Sequence, residues 1–345
     1  MRRRLLLSAS LAAALPSTSR AQDIGALTRQ HRVPDVCAIA LGASDEVFQS
    51  GPDAPAFFQA ASISKVITGL TVMRLVEQQR IVLDAPVNEM LRSWKLEGAG
   101  ADKVTPHLLL AHRGGTTVPG FPGYPASAKL PTLLEILDGA PPANTPKVRV
   151  VLPPGLMFVY SGGGTTVLQQ IVADVTGRPF AEVATELVLK PTGMEGAYLT
   201  PPGPSAKAHD EQGHVLPGDY HRYPELAAAG LWCTARDLAK LIRAFGSSWR
   251  GNGPLVSPET ARLMATPVGR GPTGLGVFVD TRTDGVPLLS HYGVNAGFRS
   301  VIAFAADASF GVVIMTDGEG GRGLIPELGQ ALFDARKLGR FPHLA

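Results

Sequence analysis

The sequence predicts an α/β protein of the α+β kind: an antiparallel sheet drawn from both chain ends, flanked by helices, with an all-helical subdomain inserted. Three observations predict it. Strand patterns occur early, at residues 36–41 and 46–50. They give way to a long middle of helical periodicity broken by proline and glycine, and they return from about residue 273. Strands segregated from helices in this way point to one sheet closed by the two ends of the chain. The expected division is a leader at 1–21 and a single domain at 22–345. Within that domain the α/β part covers about 22–80 and 250–345, and the helical part about 81–249.

The first residues read as an export signal. Arg2, Arg3 and Arg4 precede an apolar run over 5–15, and Ser19-Arg20-Ala21 offers a small-residue cleavage site. The run is too short to span a bilayer. A twin-arginine signal and an ordinary secretory signal fit about equally, and either leads to a periplasmic or secreted protein. The leader holds four arginines and no acid, so removing it moves the formal charge from +3 to −1. No basic run remains, which argues against a nucleic-acid partner. No second apolar stretch is long enough for a membrane helix.

A short helix is expected over 23–31, ending near Pro34. The run VCAIAL at 36–41 is a buried-strand pattern, and EVFQS at 46–50 completes a hairpin. An amphipathic segment then runs from Ser62 to about Gln79. Thr105-Pro106 is a helix start, with an N-cap followed by proline at the first helical position, and Gly114 is the expected residue beyond its last turn. Residues 165–176 place Val167, Leu168, Ile171, Val172 and Val175 on one face, closed by Gly177. Thr234-Ala-Arg-Asp237 resembles a capping box opening a helix through Ala244. Strands are expected at 275–280, 286–290, 298–305 and 311–316, and a last helix at 327–337. Cys37 and Cys233 are the only cysteines, and their settings favour two small buried residues over a disulfide.

The stretch Ser62-Ile-Ser-Lys65 carries the chemistry. Residues three apart share a helical face, so hydroxyl and amine can meet. A serine hydroxyl needs a base beside it to act as a nucleophile, and a desolvated amine can serve. At the start of a helix the serine also sits among backbone amides that favour a developing oxyanion. Tyr160 lies in Phe-Val-Tyr-Ser161 ahead of Gly162, Gly163 and Gly164, where its hydroxyl can reach a cleft. No G-K-[ST] follows, so this is no phosphate loop. His291 lies in Ser-His-Tyr-Gly293 at an expected strand end, and the amide of Val294 is a second candidate oxyanion donor beside that of Ser62. His209 and His214 are five apart with Gly213 between, as wrong for a zinc helix as His107 and His112. No metal and no organic cofactor is implied. The absence of G-x-S-x-G argues against an α/β-hydrolase.

In order and spacing, Ser62-Ile-Ser-Lys65, Tyr160-Ser-Gly162 and His291-Tyr-Gly293 resemble the serine β-lactamase and penicillin-binding superfamily. Within it the match is to the class C-like branch of esterases, D-aminopeptidases and DD-peptidases. Leu108–Gly115, Pro153-Pro-Gly155, Lys190–Met194, Ala228–Trp232 and Gly297-Phe-Arg299 are also similar to family segments. The resemblance implies a β-lactamase/transpeptidase-like fold and an acyl-enzyme mechanism. Ser62 would be the nucleophile and Lys65 with Tyr160 its coupled base. His291, with Gly293, would line the substrate site and orient the leaving group or a substrate carboxylate. Two departures matter. His291 replaces the lysine that many relatives carry, which disfavours efficient β-lactam hydrolysis. Gly162 replaces an asparagine that holds the substrate amide, which implies extra room for bulkier acyl groups. The implied substrate is a small ester, amide or peptide, with an ester favoured. Peptidase or weak β-lactamase activity, acyl transfer, and a ligand-binding module without turnover stand as alternatives, and the oligomeric state is open.

Overall fold

A computed structural model describes residues 17–42, 44–50, 57–282 and 285–342. Most of the expected leader therefore lies outside the described residues. The strands are β1 (Val36–Leu41), β2 (Glu46–Ser50), β3 (Phe58–Gln59), β4 (Ala197–Tyr198), β5 (Leu231–Cys233), β6 (Phe278–Asp280), β7 (Leu288–Asn295), β8 (Phe298–Ala305) and β9 (Gly311–Thr316). The main sheet is antiparallel with the order β2-β1-β9-β8-β7-β6. The two ends of the chain meet inside it where β1 pairs with β9, with Val36 opposite Thr316 and Leu41 opposite Gly311.

Both faces of this sheet are covered, which is why its strands read as continuous apolar runs. Side chains alternate across a strand. Val312 and Ile314 join one cluster with Ala38, Ala40, Leu324, Leu328 and Phe333, beneath the helices Ser17–His31 and Gly321–Asp334. Val313 and Met315 face the other way, with Ile39, into the larger core around the helices Ser64–Glu77 and Ala235–Trp249. The middle of the chain is helical and loop-rich apart from β4 and β5, which form a small second sheet with β3 in the order β3-β5-β4. The helix Ala235–Trp249 opens on the expected capping box, with Thr234 and Asp237 bonding reciprocally, and packs on β1 and β9. It therefore belongs to the sheet layer although it lies before residue 250.

Several bounds differ from expectation, each for a local reason. The first helix begins at Ser17, upstream of Asp23. The helix Pro106–Leu110 is capped by Thr105 as expected, but His112, at φ 53°, takes the left-handed place expected of Gly114. The strand expected at 275–280 shortens to β6 because Gly276 turns at φ 80° and presses on the helix behind Lys65, where a Cβ would lie 2.9 Å from Lys65 O. The next strand runs on to Asn295, since β8 pairs with it along its whole length. The last helix starts at Gly321, through Gly323 and Pro326, where packing outweighs poor intrinsic propensity. Cys37 and Cys233 are unpaired, and burial pushes the Cys37 thiol up to about 11.

Candidate active site

Ser62 sits on a single 3₁₀ turn, Ala61–Ile63, directly ahead of the helix Ser64–Glu77. The turn is held from several sides. Ala60 N–H donates to Leu231 O at 2.9 Å, and the Ser300 hydroxyl donates to Ala60 O at 2.9 Å. Ser64 Oγ donates to Ala61 O at 2.6 Å and accepts from Leu231 N at 3.1 Å. These bonds keep Ala61 at φ 48°, a left-handed conformation unfavourable for a residue with a Cβ. Such strain persists only where the surroundings over-determine it, and it is found often beside reactive groups.

Lys65 lies one turn on, as its spacing requires. Its Nζ is 3.0 Å from Ser62 Oγ and donates to Ala228 O at 2.9 Å, and the side chain is only 3% exposed. Tyr160 comes from the loop before the helix Gly162–Thr176, and its ring centroid lies 5.0 Å from Lys65 Nζ. That ring packs against His112 at 4.3 Å, and against Phe278 and His291 at 6.4 Å each. Ser161 secures the loop: its backbone N–H donates to His112 Nδ1, its hydroxyl donates to Thr117 O, and it caps the helix through Gly164 N–H.

His291 is buried within β7, away from the strand end where the sequence placed it. Its Nδ1 lies 2.9 Å from Tyr292 O. A carbonyl only accepts, so Nδ1 carries the proton and Nε2 keeps its lone pair. Burial first, and then the Lys65 charge, lowers the His291 pKa to about 3. The same causes, with His291 added, hold His112 well below its ordinary value. Both rings are neutral at ordinary pH. A neutral imidazole whose N–H is given to Tyr292 O offers a substrate carboxylate no charge, and leaves Nε2 as an acceptor toward a leaving group. The kcat/KM profile between roughly pH 5 and 8 is therefore expected to lack a histidine inflection, although free histidine titrates there. Wild type and His291→Asn should share one profile shape. A wild-type limb near pH 6.5 that disappears in the variant would refute the neutral ring.

Gly293 allows β7 to cross the Ser62 turn, since a Cβ there would overlap Ala60 O and Ser300 Oγ. Pairing between β6 and β7 stops at Ser290, so residues 291–295 have one edge without a strand partner among the described residues. Val294 is 54% exposed there. A cavity of about 590 Å³ joins these pieces, bounded by Ser62, Tyr160, His291, Tyr292 and Val294. Its remaining wall is apolar, from Pro119, Phe121, Pro122, Phe158 and Phe278. Gly162 is not on that wall. A Cβ at Gly162 would lie 2.8 Å from the Phe121 ring, so Phe121 fills the room the sequence reading expected to be free. Phe121, Phe278 and the partnership of His112 with Tyr160 were not foreseen. Phe121 lies in a proline- and glycine-rich loop without periodicity, whereas His112 stood inside a quoted family segment.

The family profile described as Beta-lactamase matches residues 21–336. The chain belongs to the beta-lactamase family. This beta-lactamase relative is 30% identical over 168 residues to Esterase EstB of Burkholderia gladioli, covering 45% of this chain and 42% of the esterase. It is 27% identical to a beta-lactamase of Lysobacter lactamgenus, over 64% of this chain and 57% of that one. It thus spans well under two thirds of the length of either. A structure of D-amino acid amidase from Ochrobactrum anthropi SV3, complexed with L-phenylalanine, superposes with a TM-score of 0.70 at 20% identity, covering 92% of this chain and 99% of the amidase. That likeness is one of fold.

The short helix that supplies Ala228 O to Lys65 follows Glu225, whose carboxyl is fully buried with neither oxygen hydrogen-bonded among the described residues. Burial raises its pKa to about 7. The folded state then holds this proton more tightly than the unfolded chain. Stability should fall as pH rises from the unfolded value through about 7 and then level, by about 3 kcal/mol in all. Denaturant titrations near pH 5 and pH 8 should show a larger loss in wild type than in Glu225→Gln, where the buried Asp317, raised to about 8, still contributes. Equal slopes in the two proteins would contradict it.

Proposed function

We propose that this family member is a serine hydrolase that cleaves uncharged esters through an acyl-enzyme on Ser62. The observation that carries the reading is the buried Lys65 amine 3.0 Å from the Oγ of Ser62, which lines the cavity. Ser62 Oγ attacks the carbonyl carbon as its proton passes to the Lys65–Tyr160 pair. Where the proton rests at each step belongs to the pair rather than to either residue. The backbone amides of Ser62 and Val294 receive the oxyanion. The pair then protonates the leaving alcohol, and water repeats the sequence to release the acid. The arginine-rich leader supports export to the periplasm or medium.

Ester preference rests on the cavity wall. No lysine or arginine stands among its described lining residues, His291 is neutral, and Phe121 occupies the space beside Gly162. Nothing there pairs with a carboxylate, and an apolar wall suits an apolar acyl group. Intact-mass analysis after a fluorophosphonate probe should show one adduct in wild type and none in Ser62→Ala. An adduct that persists in the variant would remove Ser62 from its role. Side-by-side turnover of p-nitrophenyl butyrate, D-alanine p-nitroanilide and nitrocefin should favour the ester, and preference for either of the others would reassign the substrate class.

A further inference from the structure

Beside the mouth of the cavity the chain runs Val151-Leu-Pro-Pro-Gly-Leu-Met157 and then enters the wall at Phe158. Val151 is 52% exposed, Leu156 63% and Met157 51%, with Leu152 also exposed. Isolated exposed apolar residues are ordinary, but four within one loop next to a reactive cleft form a patch that marks an interaction site. The patch lies among positive charge. Arg113 donates to Gly155 O within the loop, and its guanidinium packs beside Gly269, next to the exposed Arg270. Arg149 stands exposed two residues before Val151. Among the described residues no carboxylate pairs with Arg113, Arg149 or Arg270, whereas nearby Lys147 is paired to Glu97.

We infer that the loop Val151–Met157, with its surrounding arginines, docks the protein on an anionic lipid surface and presents the Ser62 cavity to esters held there. An apolar loop flanked by three arginines without carboxylate partners among the described residues matches the acyl boundary and headgroup layer of such a surface. Docking is peripheral, since among the described residues no helix is long and apolar enough to cross a membrane. The argument for an ester substrate rests on the function proposed above; the docking surface does not.

The test uses the full chain as Ser62→Ala, so that turnover does not consume the lipid. Its co-sedimentation with phosphatidylcholine vesicles, with and without phosphatidylglycerol, is compared with that of the same chain carrying Leu156→Asp and Met157→Asp. Binding is expected to vesicles containing phosphatidylglycerol, weakened at least about tenfold by the two aspartates. It should also weaken with Arg149→Ala plus Arg270→Ala, and with added salt. No sedimentation of the parent, or equal sedimentation of the aspartate variant, overturns the inference. So does an aspartate effect seen only as loss of self-association in sedimentation velocity, because a second copy would then be the occupant. With Ser62 intact, the aspartate variant should keep its turnover of dissolved p-nitrophenyl butyrate, and a matching loss there would make the loop part of the cleft and refute a separate docking role. If neither protein cleaves the ester while vesicle binding persists, the catalytic reading fails and docking stands.

Discussion

Lys65→Met is expected to slow acylation of Ser62 by roughly 10²–10⁴-fold, the range a general base supplies. Methionine keeps an unbranched chain in the buried slot and removes the amine that contacts Ser62 Oγ and Ala228 O. Leaving Ala228 O without its donor costs about 1–3 kcal/mol of stability, so folding must be measured apart from rate. Single-turnover acylation by a chromogenic ester, on protein shown to be folded by calorimetry, separates the two. Tyr160→Phe probes the other half of the pair and preserves the ring contacts with His112, Phe278 and His291. If amine and phenol act as one unit, the double variant should be little worse than the poorer single one. Near-normal rates in both single variants would take the proton-transfer role from them.

Gly293→Ala should be the most damaging single-methyl change in the site. The added Cβ enters the space of Ala60 O, a backbone atom fixed by Ser300, so either β7 or the Ser62 turn must move. Overpacking of this kind costs about 1–3 kcal/mol, and an ångström of misplacement at reacting atoms can cost about 10²-fold in rate. Both losses are expected together, as a lower melting temperature and slower acylation. Ser300→Ala, which frees Ala60 O without adding bulk, should reproduce part of the rate loss with less destabilisation. Wild-type rates in Gly293→Ala would show that the strand and the turn are not registered against each other.

The sheet was legible because strands covered on both faces leave long apolar runs, and residues 36–41, 298–305 and 311–316 form strands with the expected bounds. The contact of Ser62 with Lys65 was legible because three residues make nearly one helical turn. Tyr160 and His291 are about a hundred and more residues further along, beyond the reach of local periodicity. Only their resemblance to family motifs linked them to Ser62. What escaped depends on tertiary packing alone. No pattern announces that Phe121 fills the space beside Gly162, or that His112 adopts a left-handed backbone under Tyr160. The protonation state of His291 was equally out of reach of the sequence, since it follows from burial and from the nearby Lys65 charge.

The anchoring of Ala60 by Ser300 has a consequence for how the molecule is made. The serine-bearing turn lies in the first fifth of the polypeptide, and the hydroxyl that pins it belongs to a strand completed only near the end of translation. Contacts this distant along the chain form late and slowly. A nascent chain released before β8 thus lacks the Ser300 bond, and its turn rests on the Leu231 and Ser64 contacts alone. The last of the bonds that fix the Ser62 turn is therefore added only as synthesis nears its end.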